Sequence, residues 1–152
     1  MDTTPHSPRA CRTPRHARVQ HLITADESSL DDLALLATTL PLCSTGRVFI
    51  EIPDASYEAV VTLPPRMTVT WLDRSLRSGA PGTARGCAPG EAVARAVAAW
   101  ADEMLCGDAD GTRIHLLGGY LGTADIVDHL IARGVAPERI ATPAAYGLTP
   151  AR

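Results

Sequence analysis

A change of hydrophobic period within residues 19–40 constrains this chain more than any other feature. Val19 to Thr24 supplies a short apolar run that suits a buried strand. Leu30, Leu33, Ala34, Leu36, Ala37 and Leu40 then recur at helical spacing. Between the two runs, Asp26 suits a helix N-cap and acidic Glu27 suits the turn that follows. A strand running straight into a helix start is the unit of open α/β sheets, and that junction is where such sheets hold ligands. The same residues also serve as a capped helix start with no ligand.

The alternation continues along the chain. Val48, Phe49, Ile50 and Ile52 form a second strand ended by Pro53, and Met67 to Leu72 form a third after Pro64-Pro65. Residues 73–90 make a long loop containing Gly79, Pro81, Gly82, Gly86, Pro89 and Gly90, and loops of this length are usually functional or mobile. A helix is expected from about Glu91 to Leu105, with Val93, Val97, Trp100 and Leu105 facing inward. Gly107 to Gly111 reads as a turn without the ligand spacing of a calcium loop. Arg113 to Leu117 is the fourth strand, followed by Gly118-Gly119-Tyr120-Leu121-Gly122 and a helix from near Thr123. Ile126, Val127, Leu130 and Ile131 give that helix its buried stripe, Gly134 ends it, and Arg139 to Thr142 form a short fifth strand. This order predicts an α/β fold: a Rossmann-like, mostly parallel five-stranded sheet with helices on both faces and strand order three-two-one-four-five. A crevice is expected where the order reverses, between the first and fourth strands.

The 152 residues suit one domain, placed at 18–152, behind a disordered Arg/Pro-rich arm at 1–17. That arm, with Arg9, Arg12 and Arg15, can touch phosphate or an acidic partner, or stay solvated. A net charge of -3 argues against a general nucleic-acid binder, and all 14 basic residues are arginine. No apolar segment in residues 1–20 reads as a signal peptide, and no run has the length of a membrane span. Cys11, Cys43, Cys87 and Cys106 contain no C-x-x-C pair and no His at ligand spacing, so no metal site is assigned. A cytoplasmic location with reduced thiols is the expectation.

At the crevice, Thr24 to Ser28 should meet Gly118 to Thr123. Backbone amides at both helix starts can hold an anion, and the glycines allow close approach of a ligand. A tight turn without a ligand explains Gly118-Gly119 equally well. Asp26 and Glu27 suit capping better than phosphate binding. Arg74, just past the third strand, can meet a ribose 2′-phosphate or pair with Asp73 or Glu51. Tyr120 and Tyr146 can stack on a ring or cover the sheet. His115 reads as a core residue, and His129 as a surface partner of Asp125. Cys43 and Cys87 have no activating neighbour in sequence, and no nucleophile–base set emerges, so no catalytic residue is assigned.

Three blocks in this order carry a resemblance: Ala25-Asp26-Glu27-Ser28, Arg47-Val48-Phe49-Ile50-Glu51-Ile52-Pro53-Asp54-Ala55 and Val69-Thr70-Trp71-Leu72-Asp73-Arg74. Together they resemble the C-terminal half of siderophore-interacting proteins, flavin-dependent ferric-siderophore reductases, over about residues 19–147. The resemblance implies a ferredoxin-reductase-type NAD(P)H-binding domain. It places Asp26, Glu27 and Ser28 at the nicotinamide end, Asp54 and Arg74 near the adenosine ribose and its phosphate, and Gly118 at the end of the fourth strand. Gly119 joins them as a cofactor-binding candidate. Only about twenty residues precede the first strand, too few for a flavin barrel, so FAD is expected only through a separate flavoprotein. The sequence departs from the family pattern at Gly118-Gly119, where Gly-Glu is usual, and at Asp125 and Asp128, where arginines are usual. It also has Ala144-Ala145-Tyr146-Gly147 in place of an aromatic-basic tail. The expected function is a stand-alone domain binding NADPH or NADH in iron uptake; the alternative is a non-enzymatic binding or regulatory module. A homodimer contact near Tyr146 is a further expectation.

Overall fold

A computed structural model describes residues 19–105 and 111–148. The arm expected at 1–17 and most of the turn expected at 107–111 lie outside the described residues. Strand β1 (Gln20–Asp26) pairs in parallel with both β2 (Thr45–Ile52) and β4 (Arg113–Leu116). Strand β3 (Arg66–Asp73) flanks β2, and β5 (Ile140–Ala141) flanks β4. The five strands therefore run in the order β3-β2-β1-β4-β5, as the alternation predicts.

The alternation of side chains across the sheet splits the core in two. Leu22, Phe49, Leu72, Ile114 and Leu116 face α2 (Glu91–Met104) and α3 (Tyr120–Ala132). Ile23, Ala25, Val48, Ile50 and Ile52 face α1 (Leu30–Thr39), which contributes Leu33. Burial on both faces is why the central strands are rich in adjacent apolar residues rather than strictly alternating. Val61 and Leu63, from the passage between β2 and β3, which holds no α-helix, help α1 cover the second face. Among the described residues, no helix is long and apolar enough to cross a membrane.

Several local expectations change. Helix α1 begins at Leu30 with Ser29 at the N-cap, so Asp26 does not cap it. Asp26 instead ends β1, where its carboxylate has other donors to satisfy. Helix α3 begins at Tyr120 rather than near Thr123, because Gly119 already stands in extended conformation as its N-cap. On α3, Ile126, Val127 and Leu130 are buried, but Ile131 is 43% exposed, since one further residue rotates past the packed stripe. His129 pairs with Asp102 of α2 at 3.1 Å rather than with Asp125, and Arg133 joins the same carboxylate at 3.0 Å.

The N-terminal end of the sheet contains a polar anomaly on the α1 face. His21 is 3% exposed, and neither ring nitrogen has a hydrogen-bond partner among the described residues. It stacks on His115 with ring centroids 5.8 Å apart. Gly46 lies opposite His21 in the ladder, and a Cβ there would fall 1.9 Å from the His21 carbonyl oxygen. Burial, then the nearby His115 and Arg113 charges, push the His21 pKa down to about 4. A neutral His21 favours the fold, so this contribution is complete above the unfolded value of about 6.5 and is lost as pH falls towards 4. Urea unfolding at stepped pH is expected to show a loss of about 2 kcal/mol across that window. His21→Phe, which keeps the stacked ring without the titration, is expected to flatten that part of the profile.

Candidate functional site

The C-terminal ends of β1, β2 and β4 open into a cavity of about 210 Å³ at the point where the strand order reverses. Its construction starts from Glu51. The period of β2 sends Phe49 and Glu51 towards the α2 layer, so this carboxylate enters the core on that side of the sheet and is 1% exposed. Buried carboxylates need donors, and Glu51 has three. Oε1 accepts from Arg74 Nη1 at 3.0 Å and from the Gly90 amide at 2.7 Å. Oε2 accepts from the Val93 amide at 2.9 Å.

The two amides belong to the start of α2. Gly90 is the N-cap, with a φ of 91°, and has no side chain with which to cap. Its glycine identity follows from packing: a Cβ there would lie 2.7 Å from the backbone nitrogen of Gly122 on α3. The helices thus begin back to back, and the cap that Gly90 cannot supply comes from Glu51, 39 positions earlier. The loop before α2 is tied down by Arg95, whose Nη2 donates to the Ser78 carbonyl at 2.7 Å. The same Nη2 lies 3.5 Å from the Cys87 sulfur, a neighbour that the linear sequence does not reveal.

Asp26 ties the second helix start to β1. Its Oδ2 accepts from the Gly119 amide at 2.7 Å. Its Oδ1 accepts from the Ser28 amide at 3.0 Å, the Ser28 hydroxyl at 2.7 Å and the Ser29 hydroxyl at 3.0 Å. Tyr120, Leu121 and Gly122, in the first turn of α3, line the cavity, and their amides have no acceptor within the helix. Tyr146 closes this side: its hydroxyl donates to the Gly118 carbonyl at 3.2 Å, and its ring meets Tyr120 edge-on at 5.4 Å.

Asp26, Glu27, Arg74, Gly118 and Gly119, all expected at the crevice, line this cavity. Ser28 does not line it; the residue is exposed and spends both donors on Asp26. Asp54 is also exposed and outside the lining, where it caps a short 3-10 turn. Hydrogen bonds from the Ser56 hydroxyl and amide hold its carboxyl below the usual carboxylate range. Arg74 pairs with Glu51, and also with Glu27 at 3.3 Å. Burial pulls the guanidinium pKa down, but the bonds and charges of Glu51 and Glu27 outweigh it and raise the value. Sequence reasoning named Glu51 only as a partner of Arg74 and missed its role in the wall. The available signal was a lone Glu in an apolar strand, set beside a helix start with glycine at its cap.

Glu51→Gln leaves one acceptor where two oxygens served three donors, so a buried donor loses its partner. The expected cost is about 2–3 kcal/mol in urea unfolding. Faster hydrogen exchange at the first turn of α2 is expected with it.

The sequence matches the family model described as siderophore-interacting protein over residues 18–142. The fold is similar to the crystal structure of the siderophore-interacting protein SipS from Aeromonas hydrophila, with a TM-score of 0.60 and 15% identity, covering 80% of this chain and 48% of that one. It is also similar to a siderophore utilization protein from T. fusca, with a TM-score of 0.58 and 24% identity, covering 81% of this chain and 42% of that one. The chain therefore spans less than half the length of either structure, and at these identities the likeness concerns the fold. No curated protein matches the sequence.

Proposed function

The chain belongs to the siderophore-interacting protein family, and we propose that its crevice binds a reduced nicotinamide dinucleotide, NADH or NADPH. In this reading the domain presents the dinucleotide to FAD held by a separate flavoprotein, in the reduction of ferric siderophores during iron uptake in the cytoplasm. The observation that carries it is the coincidence of the cavity with the switch point of the sheet. There Gly118 and Gly119 permit close approach, and the first turn of α3 presents amides. The nicotinamide and the flavin would supply the electron chemistry, while this chain would bind and orient. The exposed Tyr120 and Leu121 at the mouth offer a face for the flavoprotein, or for a second copy of the chain.

A specific observation favours a second reading, that of a non-enzymatic binding module. Asp26, Glu27 and Glu51 place three carboxylates against the single guanidinium of Arg74 in the cavity lining. Asp26 and Glu51 also occupy helix-start amides that an anion would otherwise use.

Calorimetric titration of the protein with NADH and with NADPH separates the two. The dinucleotide reading expects micromolar binding of at least one. Absence of binding to both overturns it and leaves the module reading.

A further inference from the structure

We propose that Glu27 determines which nucleotide the crevice accepts: its free carboxylate oxygen takes a hydrogen bond from a ribose hydroxyl, and the same charge turns away a ribose bearing a 2′-phosphate. This rests on the dinucleotide reading above and adds a preference for NADH over NADPH.

The two oxygens of Glu27 differ. Oε1 accepts from Arg74 Nη2 at 3.3 Å. Oε2 is shielded from solvent and has no partner among the described residues, although Glu27 lines the cavity. A shielded acceptor without a donor is costly, and a ligand hydroxyl removes that cost once rotation of the partly exposed Glu27 carboxylate turns Oε2 to the cavity. In dinucleotide-binding sheets, the carboxylate that reads a ribose diol stands beyond the second strand. Here two carboxylates stand near that position: Glu51 has its oxygens committed to Gly90, Val93 and Arg74, and Asp54 is exposed outside the cavity lining, capping its own turn. Within the lining, the carboxylate with spare capacity is Glu27, just past the end of β1; its ion pair with Arg74 at 3.3 Å sets it beside the residue matched to the adenosine ribose, rather than at the nicotinamide end that the resemblance implies for it.

The same geometry withdraws the group that would welcome a phosphate. The Arg74 guanidinium is held at 3.0 Å by Glu51 and at 3.3 Å by Glu27, so its charge is matched twice over. Asp26 adds a further carboxylate to the lining. A 2′-phosphate entering here meets a net negative wall, and an incoming hydroxyl meets an acceptor.

Titrating wild type, Glu27→Gln and Glu27→Ala with NADH and with NADPH, at low and at high salt, tests this. Wild type is expected to bind NADH about ten-fold more tightly at low salt, with a narrower gap at high salt as the repulsion is screened. Glu27→Gln retains an oxygen for Arg74 and places an amide where the free acceptor stood. It is expected to lose NADH affinity and gain NADPH affinity, bringing the ratio to unity or beyond. Glu27→Ala, checked for folding by circular dichroism, should move the ratio the same way. A purely structural role would lower both affinities together and leave the ratio unchanged. That result, or a wild type that binds NADPH as tightly as NADH, overturns the assignment of Glu27 alone. A folded wild type that binds neither overturns the dinucleotide reading and this one with it.

Discussion

The C-terminal edge of the sheet depends on one buried carboxylate. Glu51 stands where β2 meets the α2 layer and accepts bonds from the start of α2 and from Arg74. Each feature around it answers to another. The close approach of α2 to α3 requires Gly90, and glycine removes the side chain that would cap α2. The missing cap is supplied through space by Glu51. Burying that carboxylate then calls for a counter-charge, and Arg74 provides one from just beyond β3. The wall of the crevice is thus a chain of compensations among β2, β3 and α2.

Asp26 performs the corresponding task on the other side of the opening. It joins the turn after β1 to the Gly119 amide at the start of α3. Both helix starts at the switch point are therefore held by carboxylates belonging to the protein. A common use of such a place is to receive an anion at free amides. This chain fills three such amides itself, those of Gly90, Val93 and Gly119, leaving the first turn of α3 beside an acidic wall. The switch point of the sheet locates the crevice, and three carboxylates and one guanidinium set its charge.

Much of the architecture was legible because hydrophobic period is a local signal. The strands, the three longer helices and the order of the sheet follow from apolar runs, helical spacing and the preference for right-handed parallel crossovers. Element ends were less legible. The start of α3 depends on the backbone conformation of Gly119, and the role of Asp26 depends on an amide far away in sequence. His129 illustrates the same limit: Asp125 is one turn away along the helix, yet the carboxylate it meets belongs to α2. Ser28 and Asp54 carried the wording of the family blocks, but local turns use their polar groups outside the cavity lining.

By itself the sequence determined the fold class, the family and the position of the crevice, because period and motif order are properties of neighbouring residues. Only the tertiary structure decided how the charges of that crevice are shared. Glu27, Glu51 and Arg74 come from three separate strand ends, and which oxygen of which carboxylate remains free depends on distances between them. Hydrogen bonding and ion pairing act through space over a few ångströms, so they are settled only once the sheet has brought those ends together.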